Sequence, residues 1–158
     1  MELDFTKPVL LLDIDGVLNS RAWIYGASKS KGSQLEWLRS MIDPELAAKV
    51  ARLVQDYGCS VVVCSSWRII LEPKDLQGLL SEHEIPFHGV TPPSSRNRTG
   101  EIRDFVTQFP PRTNWVVLDD SVPEEAFGGR RVVRPRDGVT DSDIARARSI
   151  LDRRKVKG

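Results

Sequence analysis

Residues 9–19 read V-L-L-L-D-I-D-G-V-L-N, and the reading of this stretch governs the rest of the chain. Val9 to Leu12 form an unbroken apolar run, as in a strand buried on both faces of a parallel sheet. The run stops at two carboxylates, Asp13 and Asp15, followed by Gly16. In an extended chain, residues i and i+2 point to the same side. Both acids are therefore expected to face one small volume at the carboxyl end of the strand, where open α/β sheets hold their ligands. Two like charges there repel unless a cation sits between them or one carboxyl stays protonated. Hard oxygen donors favour a magnesium-like ion. Gly16 lets the chain turn sharply. An Asp-Gly turn would account for the glycine and one acid, but not for the second acid.

Outward from this strand, the apolar pattern alternates between strand and helix. Asn19 to Ser40 resists assignment: Trp23, Tyr25 and Trp37 are mixed with Gly26, Gly32, several serines and the bases Arg21, Lys29, Lys31 and Arg39. As a flap-like loop at about 19–42, it is either a mobile contributor of aromatic and basic contacts or a surface excursion pinned by its aromatics. Asp43-Pro44 reads as an N-cap and first helical residue, and Gly58 closes that helix. Cys59 to Cys64 is a second buried strand, ending in Ser65-Ser66-Trp67-Arg68. A hydroxyl there serves either as a helix cap or as a phosphate ligand. Pro73 to His83 reads as a short helix and Phe87 to Thr91 as a third strand. Arg96 and Arg98 sit in a turn-rich loop just ahead of a helix marked by Ile102, Phe105, Val106 and Phe109. Trp115 to Leu118 is a fourth strand, ending in Asp119-Asp120; Arg131 to Arg134 is a fifth. Thr140 to Asp143 caps a final helix on Ile144, Ala147 and Leu151.

The alternation argues for a three-layer α/β/α Rossmann-like sandwich with a mostly parallel sheet, in one domain over 1–158 with no separate cap domain. Charge is nearly balanced, with 23 basic and 22 acidic side chains, so no strong field selects a partner. Residues 1–95 carry 9 basic and 12 acidic side chains, and residues 96–158 carry 14 and 10. Arginine outnumbers lysine 16 to 7, which suits bidentate phosphate binding and surface ion pairs alike. The two cysteines, Cys59 and Cys64, lie on one extended segment too far apart to pair, so buried thiols in a cytoplasmic protein are expected. His83 and His88 have no partner at ligand spacing. The first apolar run is too short to span a bilayer, so no membrane association is expected, and a monomer is.

Four elements in this order resemble the haloacid dehalogenase (HAD) superfamily of phosphohydrolases: D-I-D-G-V at Asp13, the hydroxyl of V-V-V-C-S at Ser65, an arginine at Arg98 or Arg96, and V-V-L-D-D ending at Asp120. The resemblance spans about Pro8 to Leu151. It is greatest to small capless members with S-S-W-R after the second strand, some associated with multi-enzyme RNA-repair proteins. T-G-E-I from Thr99 and D-G-V-T-D-S-D-I near the end are similar to that group as well. Many superfamily members use a lysine where this chain has arginine.

The resemblance implies that Asp13 is the nucleophile, forming an aspartyl-phosphate, and that Asp15 is the general acid and base. It implies Mg2+ held by Asp13, the backbone carbonyl of Asp15, and Asp119, with Asp120 close or one water away. Ser65 and the next backbone N–H would bind phosphoryl oxygens, and Arg98 would neutralise their charge. Gly16, Ser66, Arg68 and Arg96 are the remaining candidates for substrate contact. A receiver domain that accepts phosphate is one rival; it carries paired acids on its first strand and its acceptor Asp on a middle one, unlike this order. A catalytically silent binding module is another. An open site suits a phosphate projecting from something large, so a polynucleotide end is the expected substrate, ahead of nucleotides, small metabolites or a phosphoprotein. Near-neutral net charge counts against strong nucleic-acid binding.

Overall fold

Five short strands run parallel in the spatial order β3-β2-β1-β4-β5. They are β1 (Val9–Leu12), β2 (Ser60–Val63), β3 (Gly89–Val90), β4 (Trp115–Leu118) and β5 (Val132–Val133). The computed structural model describes residues 3–27 and 32–156. The expected bases Lys29 and Lys31 lie outside the described residues. Among the described residues, seven α-helices accompany the strands, six between them and the last after β5: α1 (Arg21–Gly26), α2 (Gln34–Met41), α3 (Pro44–Tyr57), α4 (Trp67–Ile70), α5 (Pro73–Ser81), α6 (Arg98–Val106) and α7 (Asp141–Val156). This is the α/β Rossmann-like sandwich expected from the sequence, with every strand parallel.

Period-two alternation divides the core between the faces of the sheet. Leu10 and Leu12 join Val61, Val63, Val116 and Leu118 against side chains of α2, α3, α5 and α7. Val9 and Leu11 join Val62, Cys64 and Val117 against Ile102 of α6. That second face carries one helix, and aromatic rings fill what remains of it. Phe5, Phe105 and Trp115 each pack against Phe109, and Trp115 also meets Phe127 edge-on.

Local signals set the helix boundaries. Asp43 Oδ1 accepts from Glu45 N at 2.9 Å to start α3, and Gly58 ends it at φ 65°. Thr140 and Asp143 bond reciprocally, side chain to backbone, at the start of α7. His88 Nδ1 accepts from Val61 N at 2.9 Å, a purely structural role. Cys59 and Cys64 are free and buried.

The segment expected as a loop at 19–42 contains α1 and α2. Ser20 caps α1 by accepting from Trp23 N, and Ser33 caps α2 by accepting from Glu36 N. The two helices differ in attachment. Leu38 and Met41 of α2 are buried, whereas α1 buries none of its residues. Leu38→Ala should therefore cost about 2–5 kcal/mol of stability, the range for truncating a core leucine. Ile24→Ala on α1 should stay within about 0.5 kcal/mol of wild type. Urea unfolding of the two variants checks both; equal losses would mean that α1 is docked as firmly as α2.

Candidate active site

The site forms because β1 and β4 pair in register. Leu12 lies opposite Leu118, so the residues that follow, Asp13 and Asp119, leave the sheet side by side, with Asp13 N donating to Leu118 O at 2.9 Å. This is the crevice where the strand order reverses direction, the usual ligand position in open α/β sheets. Asp13, Asp119 and Asp120 each place a carboxylate oxygen within 4.8 Å of the others.

Gly16 makes room for the third acid. Its φ of 81° is unfavourable for other residues, and a Cβ there would lie 2.0 Å from Asp120 Oδ2. A glycine is thus needed at this position so that Asp120 can approach. Gly16 contributes space, not a substrate-binding side chain.

One cation reaches this group. Arg98, the first residue of α6, places Nη1 2.7 Å from Asp119 Oδ2 and 3.4 Å from Asp13 Oδ1. Burial opposes the charge on Arg98, but Asp119, Cys64 and Asp13 together outweigh it and raise its pKa above the ordinary guanidinium value. Of the two candidate arginines, Arg96 does not reach the acids. It lies across Gly100, is half exposed, and pairs with Asp104 at 3.2 Å. Of the two, Arg98 is thus the arginine at the acid cluster, and Arg96 stands on the surface of α6.

Asp119 is fully buried and heavily committed. Its Oδ2 accepts from Arg98 and from the Cys64 thiol (Sγ at 3.4 Å), and its Oδ1 accepts from Ser121 N and Oγ at 2.8 and 2.7 Å. Burial, followed by the charge of Asp119, pushes the Cys64 thiol well above its ordinary pKa, so it stays a proton donor. Asp120 is less buried, and its main-chain carbonyl accepts from Arg134 Nε at 2.9 Å.

Asp15 is not one of that group of three acids. Just past the strand end, its carboxylate is exposed and held at two points. Trp67 Nε1 donates to Oδ2 at 3.0 Å, and Asn19 Nδ2 donates to Oδ1 at 3.1 Å. Asn19 Oδ1 also accepts from Gly16 N at 2.8 Å, fixing the turn after Asp13. β1 ends at Leu12, so both acids lie beyond the last strand residue, and Asp15 is positioned by Trp67 and Asn19.

The S-S-W-R segment is mostly a positioning device. Ser65 is fully buried and its Oγ accepts from Trp67 N at 3.1 Å, the cap role; its hydroxyl proton has no protein acceptor among the described residues. Ser66 is exposed. Trp67 orients Asp15. Arg68 was expected near the substrate, but its side chain is buried beneath the site. It donates to the carbonyls of Cys64, Ser65 and Thr91 and pairs with Glu101 at 3.0 Å. It ties together the ends of β2 and β3 and the start of α6, and is withdrawn from substrate contact. Of the flap aromatics, Trp23 donates from Nε1 to Ser40 O at 3.1 Å and pins the segment, whereas Tyr25 is 95% exposed.

The donor set fits a divalent cation. Three acids crowd around one guanidinium in a mostly buried cluster, more negative charge than Arg98 can offset when all three are ionised. Burial first, then the charge of Asp119 and a hydrogen bond with Asp120, push the Asp13 carboxyl up to about 9, with Arg98 opposing. A carboxyl whose folded pKa lies above its unfolded value stabilises the fold while protonated. That stabilisation is fully present below the ordinary carboxylate range near 4 and is lost as pH rises toward 9. In the presence of a chelator, the urea midpoint should therefore fall between pH 5 and 9, less steeply for Asp13→Asn. Parallel pH profiles for wild type and variant would contradict this electrostatic reading.

No curated protein matches the sequence. A family model described as the HAD domain in Swiss Army Knife RNA repair proteins matches residues 9–144, from the first residue of β1 into α7 and across every element of the acid cluster. The chain belongs to that HAD family and is a HAD-type phosphatase.

Proposed function

We propose that this phosphatase removes the phosphate from a phosphomonoester at a polynucleotide end, with Mg2+ and through an aspartyl-phosphate. The observation that carries the reading is the buried Asp13 carboxyl, grouped with Asp119 and Asp120 and 3.4 Å from Arg98. An Asp13 oxygen attacks phosphorus as the bond from phosphorus to the ester oxygen breaks. Asp15, held by Trp67 and Asn19, gives its proton to the departing alkoxide and then takes one from the water that hydrolyses the acyl-phosphate. Arg98 offsets charge on the phosphoryl oxygens in transit. The Ser65 hydroxyl proton and the Ser66 backbone N–H, neither with a protein acceptor among the described residues, supply further donors.

Bound Mg2+ would neutralise phosphate charge and orient the nucleophile, as hard cations do in phosphoryl transfer. Asp13 and Asp120 are the side chains best placed to hold it, with the Asp15 carbonyl. Asp119 is the weaker candidate because Arg98, Cys64 and Ser121 already occupy its oxygens. This reverses the order expected for the two neighbouring acids.

The polynucleotide end is favoured by an open site and by the family's description. Among the described residues, the chain between β1 and α3 carries two short helices, fewer elements than a folded cap domain of the usual size would need. Without a cap, a small metabolite cannot be enclosed on all sides, but a phosphate at the end of a large molecule can enter. The matched family is described by its occurrence in RNA repair proteins.

Phosphate release from an aryl phosphate, with and without Mg2+, tests the chemistry. Asp13→Asn should abolish it, and activity within tenfold of wild type would end the covalent mechanism. Asp15→Asn should cost about 10²–10⁴-fold on an alkyl phosphate, whose leaving group needs the proton. The loss on an aryl phosphate should be smaller, because phenolate departs unaided; equal losses would assign Asp15 another role.

Metal titration followed calorimetrically separates the neighbouring acids. Asp120→Ala should weaken Mg2+ binding more than Asp119→Ala, and the opposite ranking would return Asp119 to direct contact with the ion. For the substrate, kcat/KM on a phosphorylated oligonucleotide should exceed that on the matching mononucleotide and on a phosphoserine peptide. No preference for the polymer at low salt would leave only a general phosphatase.

A further inference from the structure

Beside the acid cluster lies a groove of about 570 Å³ whose lining includes Arg21, Arg134, Arg136, Glu124, Glu125 and Asp120. We propose that it is a subsite for the internal phosphodiester adjoining the phosphate to be removed. The inference rests on the polynucleotide-end reading above and assigns that reading its specificity residues.

Asp120 belongs to both places. It lines the groove and offers an oxygen to the cluster with Asp13 and Asp119. A chain whose terminal phosphate sits at Asp13 and continues past Asp120 therefore enters the groove directly. Arg134 fixes this relation by donating from Nε to the Asp120 carbonyl at 2.9 Å.

The three arginines come from two segments held together at their base. Arg21 opens α1, and its backbone N donates to Asp137 Oδ1 at 2.8 Å, on the same loop as Arg134 and Arg136. That loop is joined in turn to the chain after Asp13, since Gly138 N donates to Gly16 O at 3.0 Å and Val139 N to Val17 O at 2.9 Å. The groove and the acid cluster thus share one backbone frame.

The guanidinium groups of Arg21 and Arg136 are exposed and donate no hydrogen bond among the described residues. Of the two glutamates, Glu124 pairs with Arg146 at 2.8 Å. The lining is balanced in charge, three arginines against Asp120, Glu124 and Glu125, and Arg146 neutralises Glu124 from outside it, so the guanidinium groups of Arg21 and Arg136, unpaired among the described residues, are the cations left for a ligand. Planar guanidinium forks suit the paired oxygens of a phosphodiester.

A base platform stands one helical turn away. Tyr25 is four residues beyond Arg21, on the same side of α1, and is 95% exposed. An exposed ring one turn from Arg21, outside the groove lining itself, suits the stacking of a base from single-stranded nucleic acid. A phosphopeptide would use the arginines but has no base for Tyr25, so the combination favours a nucleotide chain.

The test uses the wild-type chain, Arg21→Ala/Arg136→Ala and, as a charge reversal, Arg136→Glu. Arg134 is left intact because it also holds Asp120. For each, kcat/KM is measured on a phosphorylated trinucleotide, the matching mononucleotide and a phosphoserine peptide at several salt concentrations. Wild type should prefer the trinucleotide at low salt, and the double variant should reduce the ratio of trinucleotide to mononucleotide at least tenfold. The log–log salt dependence on the trinucleotide should become shallower by about 0.7 to 1.4, the range for one or two lost single-strand phosphate contacts. Arg136→Glu should reduce the same ratio. Absence of a wild-type preference overturns the polynucleotide-end reading and the subsite with it. A wild-type preference that persists in the variants overturns the subsite alone. An equal loss on the phosphoserine peptide overturns its assignment to nucleic acid.

Discussion

The register between β1 and β4 is the constraint from which the site follows. With Leu12 opposite Leu118, the residue after each strand is an aspartate, and both acids are buried. A shift of one residue would have turned the apolar side chains of β1 toward the wrong faces, so the core that fixes the register also brings the acids together. The charge that the core crowds in this way must then be balanced. Arg98 balances part of it from the start of α6, and the remainder defines what the cluster can bind.

The surroundings of the acids are arranged to hold them still. Ser121 and Cys64 fix Asp119, Asn19 and Trp67 fix Asp15, and Gly16 admits Asp120. Beneath them the buried Arg68–Glu101 pair closes over three chain ends. Such a pair adds little net stability over apolar packing, but removing one partner strands a charge in the interior. Its value lies in fixing geometry: Glu101 belongs to the same helix that begins with Arg98.

Much of this was legible in the sequence because strand cores and strand ends write strong signals. The apolar run at Val9 to Leu12 and the acids at Asp13 and Asp119-Asp120 located the central strands and the edge where they meet. Pairing register and side-chain direction are not local properties, and there the reading went astray. Arg68 and Arg96 carry the same charge as Arg98, yet one is turned into the core and the other onto the surface of α6. Asp15 follows a strand that ends at Leu12, and its carboxylate is held by Trp67 and Asn19 and not by the strand pattern. The helices α1 and α2 were missed because glycine, serine and aromatic residues obscured their caps, although Ser33 and Glu36 stand at the spacing of a capping box. Trp67 and Asn19 gave no signal as supports of the acid, since their partner is set by tertiary structure.

The shallow attachment of α1 has an evolutionary consequence. Because the helix buries none of its side chains, substitutions along it away from Trp23 are nearly neutral for folding. Asp13 and Asp119 lie on the opposite side of that divide, fixed by the core register and intolerant of drift. If α1 meets the substrate as proposed, selection can change which molecules are accepted there while the acid cluster is inherited intact.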